Sequence, residues 1–215
     1  MVRYITKGKP MYKLNYGILA VAVCLVGCAT TSSIKDSTDV YSKPLMVNAP
    51  RVAIMDLTDS RQNPTHIGQV AALAVNQPKT PMNQILSNRI ASKLVEQGLN
   101  VEKVNVTNTD DKAEISELIV SSGAKILITG KLSDFFIKSF DAMMEPARGS
   151  CVFSIKVFDG GGQIVFERSY FANAEHFIGL TGQFGADKAI DKTIDAAISQ
   201  VFGDPQFQAI LKNLG

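Results

Sequence analysis

The chain has 215 residues, 46% of them hydrophobic and 20% charged, which is ordinary for a globular protein and suits one domain with added segments better than two full domains. Its formal charge is +2, but four of its 22 Lys and Arg residues (Arg3, Lys7, Lys9 and Lys13) precede residue 28 with no acid among them, leaving 18 basic against 20 acidic residues in the rest. A slightly acidic remainder lacks the electrostatic footprint of a nucleic-acid-binding protein.

Residues 1–15 are basic and polar, and Gly17 to Cys28 form an apolar run. That run is about 12 residues long, against the roughly 20 that a membrane-spanning helix needs. A basic head, a short apolar stretch and small residues have the layout of a secretory signal. Met11 is an alternative start that would leave Lys13 as the signal's charge. Leu25-Val26-Gly27-Cys28, at the end of the run, resembles the lipobox of bacterial lipoproteins. The resemblance implies a signal peptide over 1–27, cleavage before Cys28, and diacylglycerol on the Cys28 thiol with a further acyl chain (such as palmitate) on the new amino terminus. Each buried CH₂ adds roughly 0.8 kcal/mol, so several chains hold far more firmly than one. The next residue is Ala29 rather than Asp, which by the same resemblance implies the periplasmic face of the outer membrane. Residues 28–49 are rich in Ser, Thr, Asp and Lys and read as a flexible tether, a coil of roughly 25 Å that extends to about 70 Å. Cys24 leaves with the signal and Cys28 takes lipid, so Cys151 has no partner for an intrachain disulfide.

The folded domain is expected over 50–215. Val52 to Leu57 reads as a strand. Residues 67–76 read as a second strand after a turn at Asn63-Pro64, with a helix as the alternative. Thr80 and Pro81 suit the cap and first position of a helix that Gly98 ends, with Leu86, Ile90 and Leu94 inward. Asn100 to Val106 reads as a strand. Asp111 and Glu114 then open a helix through Ser122, with Ile115, Leu118 and Ile119 inward and Gly123 as its stop. Ala124 to Ile137 reads as a long strand with Ile126, Ile128, Leu132 and Phe136 on one face. Strands at 149–158 and 163–174 flank a turn at 159–162, and Cys151, Phe153, Ile155 and Val157 alternate inward. A helix from Gly185 to Phe202 buries Ile190, Ile194, Ile198 and Val201, and Asp204-Pro205 starts a short last helix. The order β-β-α-β-α-β-β-β-α-α predicts an α/β domain, a mixed β-sheet covered by helices.

Four stretches carry a family likeness: Arg51–Asp59, Asn88–Val101, Gly123–Leu132 and Val152–Tyr170. Together they resemble a broad group of envelope proteins: the YajG-type lipoproteins, the auxiliary lipoproteins of ABC transport systems, the amino-terminal domain of TolB, and the CsgG-type core. The resemblance implies binding and assembly rather than chemistry, and a fold does not fix a function. The CsgG-type group also implies an alternative role, a subunit of an oligomeric secretion or surface-organelle assembly. Two long alternating hairpins with lipid-facing sides are missing here, which disfavours a pore.

Chemistry is weakly signalled. The histidines, His66 and His176, stand far apart, and there is no CxxC, HExxH or EF-hand spacing. Asp56, Asp59 and His66 could converge near the first strand's end, although a solvated loop with caps and turns explains them better. Gly160-Gly161-Gly162 lacks a P-loop's Lys-Ser/Thr and reads as a hairpin turn. Asp110-Asp111 suit a helix start, and Glu145 with Arg148 suit a surface pair. No catalytic residue, metal or cofactor is expected, although a small-ligand carrier or an enzyme assembled from distant residues stays open as a lesser alternative.

Two apolar segments suit contact. Phe140, Met143 and Met144 follow a strand end, and methionine side chains adapt to varied surfaces. Phe177 and Leu180 lie in a glycine-bearing loop. Each segment either docks a partner (for the first, lipid is a further choice) or folds back on its own domain. The expected partners are membrane lipid through Cys28, and an envelope protein or a second copy. For the anchor, Cys28→Ser is expected to leave an unlipidated precursor that retains residues 1–27, seen by intact mass and membrane fractionation. Normal processing of that variant would rule the anchor out.

Overall fold

The computed structural model describes residues 30–31, 41, 46–70, 73–105, 111–139, 146–177 and 183–214. Among them lie β1 (Thr30–Thr31), β2 (Arg51–Ile54), β3 (Thr58–Asp59), β4 (His66–Val70), β5 (Leu73–Asn76), α1 (Met82–Glu96), β6 (Asn100–Lys103), α2 (Lys112–Ser122), β7 (Ile126–Ser139), β8 (Ala147–Asp159), β9 (Ile164–His176), α3 (Gln183–Gly203) and α4 (Pro205–Lys212). The nine strands form one mixed sheet, and the expected order of strands and helices is present. The run 67–76 folds as a hairpin rather than one strand, with β4 and β5 antiparallel and Val70 opposite Leu73.

β7 is the spine. Along one side it pairs in turn with β2, β3 and β4, all parallel. Along the other it pairs antiparallel with β8 over its whole length. Ile126, Ile128 and Leu132 are buried as expected, but Phe136 is not their continuation. The β7–β8 register shifts between Leu132 and Asp134, where Ser133 is an extra residue. Such a bulge reverses the alternation. Phe135 and Ile137 therefore turn inward at 1% and 0% exposure. Phe136 points to the opposite face, where its ring meets His66 edge-on at 5.8 Å.

α1, α3 and α4 cover one face of the sheet and form the larger core, in which Leu86, Ile90, Leu94, Ile190, Ile194, Ile198 and Val201 pack on Cys151, Phe153, Ile155 and Val157. Burial of each such aliphatic group is worth roughly 1.5–3 kcal/mol. α3 lies close on β8, because a Cβ at Gly149 would collide with the Thr193 hydroxyl. α2 covers part of the other face, with Ile115 and Ile119 against Ala53, Leu127 and Phe158, and Leu118 partly buried beside them. Asp111 caps α2 by accepting from the N–H groups of Ala113 and Glu114, and Gly123 ends it at φ 64°. α1 starts one residue later than expected: Pro81 is extended at ψ 145° and takes the cap position assigned to Thr80.

Asp204 ties α3, α4 and β9 together. Its carboxylate accepts from the N–H groups of Gln206 (2.9 Å) and Phe207 (3.4 Å), capping α4, and from Arg168 (2.5 Å) and the Tyr170 hydroxyl (3.1 Å). Burial alone would raise its pKa, but the Gln206 N–H, the Tyr170 hydroxyl, the Phe207 N–H and the Arg168 charge together hold it below the usual carboxylate range. A carboxyl depressed in the folded state stabilises above its unfolded pKa of about 3.9 and loses that contribution as pH falls through the folded value. Asp204→Ala is therefore expected to cost about 1–3 kcal/mol at neutral pH, from a lost cap and an orphaned tyrosine. Urea titrations should show the gap from wild type closing below about pH 4.

Candidate functional site

Among the described residues β9 pairs with β8 alone, which makes it an edge strand. One face of the β8–β9 hairpin lies under α3. On the other the rows Arg148–Glu175, Ser150–Asn173, Val152–Phe171, Ser154–Ser169 and Lys156–Glu167 run across the two strands. α2 packs only near the Phe158 end, so these rows stay open. Seven large apolar side chains among the described residues are exposed, and three of them, Ile164 (49%), Val165 (46%) and Phe171 (58%), lie on β9, while a fourth, Phe177 (62%), directly follows it. Gln200 donates to the Phe171 carbonyl at 2.9 Å. Because N–H and C=O of one residue point the same way in an antiparallel strand, that bond marks the side of β9 turned away from β8. An open edge with exposed apolar groups can accept another chain.

The two segments singled out by sequence spring from one end of this sheet. Ser139 ends β7, Ala147 opens β8 opposite His176, and Lys138 faces Arg148. Phe177 is thus placed at this rim. Phe140, Met143, Met144 and Leu180 lie outside the described residues. The rim also carries cations. His176 is lowered by burial and then by the Lys192 and Lys188 charges beside it, so its ring favours the neutral form. Arg148 meets Glu175 at 3.0 Å, and Glu145, its expected partner, lies outside the described residues.

Asp56, Asp59 and His66 do not converge. Asp56 meets Lys103 at 2.9 Å. Asp59 takes a fork of bonds from Arg61, at 2.9 Å from Nε and 2.6 Å from Nη2. These bonds hold the Asp59 carboxyl below its ordinary pKa against the opposing effect of burial. The Arg61 side chain is only 4% exposed. The Asp59-x-Arg61 spacing was the signal for this buried pair, and the sequence reading missed it. Among the described residues no three His, Cys, Asp or Glu side chains gather as metal ligands would. Gly160 to Gly162 form the β8–β9 turn, where the Gly161 and Gln163 N–H groups donate to the Asp159 carboxylate.

Two further hollows are polar. A groove of about 480 Å³ between α1 and α3 is lined by Arg89, Lys93, Glu96 and Asp195. Its charges are largely paired, Arg89 with Asp191 at 2.9 Å and Lys93 with Glu96 at 2.7 Å. A depression of about 300 Å³ on the open face has Thr58, Thr129, Lys131, Ser154 and Lys156 around it.

No family model and no curated protein matches the chain. Among solved structures, protein XCC0632 of Xanthomonas campestris, described by the family DUF330, superimposes at a TM-score of 0.51 with 6% identity, covering 86% of this chain and 96% of its own. Two others are a PelC dodecamer of Paraburkholderia phytofirmans (TM-score 0.42, 11% identity, 72% and 92% covered) and lipoprotein GNA1162 of Neisseria meningitidis (0.39, 9%, 72% and 99%). The first likeness shows the α/β fold, and bacterial lipoproteins stand among the neighbours.

Cys151 is fully buried within β8, and burial pushes its thiol up to about 12, with Asp134 adding to the rise. A thiol so placed is not a nucleophile near neutral pH. Native protein treated with iodoacetamide at pH 8 should yield an unmodified Cys151 peptide on mapping, and denatured protein a fully modified one. Rapid native labelling would show that the core around β8 opens.

Proposed function

We propose that this chain is a lipoprotein of the bacterial envelope, made with a signal over 1–27 and acylated on Cys28. On this reading it presents residues 50–215 at the periplasmic face of the outer membrane as a non-catalytic binding module. The observation that carries the binding role is the set Ile164, Val165 and Phe171, exposed on a strand that has one partner among the described residues. Isolated apolar groups on a surface are unremarkable, but three on one free edge give a docking strand both backbone partners and side-chain contacts. The anchor rests on the lipobox resemblance at Leu25–Cys28. Phe140, Met143, Met144, Phe177 and Leu180, on the segments that spring from the rim, are proposed contacts for a partner or for lipid.

A photo-crosslinking residue at Phe171, in the full chain in cells, tests the docking edge, with Val120 on α2 as the comparison site because its side chain is also exposed, at 71%. One dominant adduct from Phe171 and none from Val120 is the expected result. A doubled mass would make the occupant of the edge a second copy, as in the oligomeric alternative. Equal, scattered adducts at both sites would remove the edge from the proposal.

A further inference from the structure

The path of the chain between the anchor and the sheet fixes an orientation. β1 runs parallel to β5, with Thr30 opposite Val75 and Thr31 opposite Asn76. β5 runs antiparallel to β4, and β4 runs parallel to β7, with Val70 facing both Leu73 and Ser139. Following these registers, the chain enters β1 from the end of the sheet where β7 finishes at Ser139, β8 begins at Ala147 and β9 finishes at His176. Cys28 is two residues before Thr30, and two residues span at most about 7 Å. An acyl chain on Cys28 would thus start within that reach of Thr30, on the rim side of the sheet, whereas a coil over all of 28–49 would let the domain drift several times further.

The chemistry of the rim suits what an anchor would bring to it. Phe177, at 62% exposure, extends from the end of β9. Lys138, Arg148, Lys188 and Lys192 are exposed around it. Lys188 and Lys192 act on His176 from α3, which places them at the same end. Neither makes a salt bridge with any described residue. Of the acids on the same elements, Glu175 is held by Arg148 at 3.0 Å and Asp191 by Arg89 at 2.9 Å, while Asp187 and Asp195 share α3 with both lysines. At the opposite end of the sheet two cations are engaged within the protein: Arg51 donates to the Ser122 carbonyl at 2.9 Å, and Lys125 to that of Leu214. Among the described residues the rim thus carries Lys188 and Lys192 outside any salt bridge, beside an exposed aromatic ring.

We propose that this rim lies against the anionic headgroups of the membrane that holds the anchor, with Phe177 entering the interface and the lysines above phosphate. The inference rests on acylation of Cys28 as proposed above. In the strand order β1-β5-β4-β7-β8-β9 the anchor side and Phe177 are separated by five strand intervals, roughly 24 Å. Contact at both corners sets the sheet upright on the bilayer, and the tether does not hold it at a distance.

The chain contains no tryptophan, so Phe177→Trp gives a single emitter at the rim and Val120→Trp one at the far end. Each variant is purified as the full chain after maturation in cells and reconstituted into brominated phosphatidylcholine vesicles with or without phosphatidylglycerol. The mass of the amino-terminal peptide is read first. The expected result is bromine quenching of F177W, stronger with phosphatidylglycerol, and none of V120W. Adding Lys188→Gln and Lys192→Gln should lower the ratio of rim-bound to rim-free molecules by about fivefold for each lysine, the effect of one charge near an anionic surface. Acylated protein in which both variants behave alike overturns the orientation and leaves the lipoprotein reading standing. An amino-terminal peptide without lipid overturns both. Protection of F177W in cells, with no quenching in vesicles, would show a protein covering the rim and would overturn the membrane contact.

Discussion

Every layer of this fold depends on the bulge in β7. A 14-residue strand can keep one face dry throughout only if its sequence alternates without a break, and this one does not. Ile126, Ile128 and Leu132 sit at even positions, and Phe135, Ile137 and Ser139 at odd ones. Without the extra residue at Ser133, Asp134 and Lys138 would point under α3, and an unpaired buried charge costs several kcal/mol. With it, both stay on the open face, and the apolar side chains on either side of the break share one core. Because β7 touches four other strands, its change of phase also sets the registers of β4 and β8.

The helices then divide the sheet unevenly. α3 alone has 21 residues and, with α1 and α4, closes one face. α2 has 11 residues and shields only the part of the other face around Ala53, Leu127 and Phe158. The remainder is a mosaic of Ser, Lys, Glu and Asn with Phe136, Val152 and Phe171 among them. Uncovered antiparallel sheet is stable in water when its outward residues are largely polar, so the open face costs the domain little. Among the described residues β9 also has a strand on one side only, which is the feature that a binding module can use.

Much of this was legible from periodicity. Leu86, Ile90 and Leu94 at helical spacing, Cys151 to Val157 at strand spacing, the Asp111 cap and the Asp204-Pro205 start all lie where the sequence reading put them. Several misreadings depend on a partner distant in the chain, although the 67–76 hairpin and the Asp59–Arg61 pair are local. IGQVAALAVN carries no Gly, Pro or Asn at the reversal between Val70 and Leu73, so nothing local announces the hairpin. Phe136 continued the face of Ile126, Ile128 and Leu132 by parity, and only the register with β8 puts Phe135 there instead. The anchoring of Asp204 by Arg168 and Tyr170 spans more than 30 residues, and no spacing rule reaches that far. Likewise Thr30–Thr31 sit in a Ser/Thr-rich stretch with no strand pattern of its own, and β5 supplies the pairing.

Strand order links the two proposed surfaces. The edge formed by β9 and the edge formed by β1 are the two ends of one row of strands, and the residues nearest the anchor occupy the second. A partner that adds to the sheet near the rim therefore has only β9 left to use. If the rim meets the membrane, β9 runs away from the bilayer from His176 to Ile164, and Phe171 stands about five residues out, roughly 17 Å at 3.4 Å per residue. An edge held upright at that height meets periplasmic proteins in one orientation, which reduces the rotational freedom lost on docking. On that reading the proposed lipid anchor and the short α2 serve the same end, one fixing the sheet's attitude and the other leaving its free side uncovered.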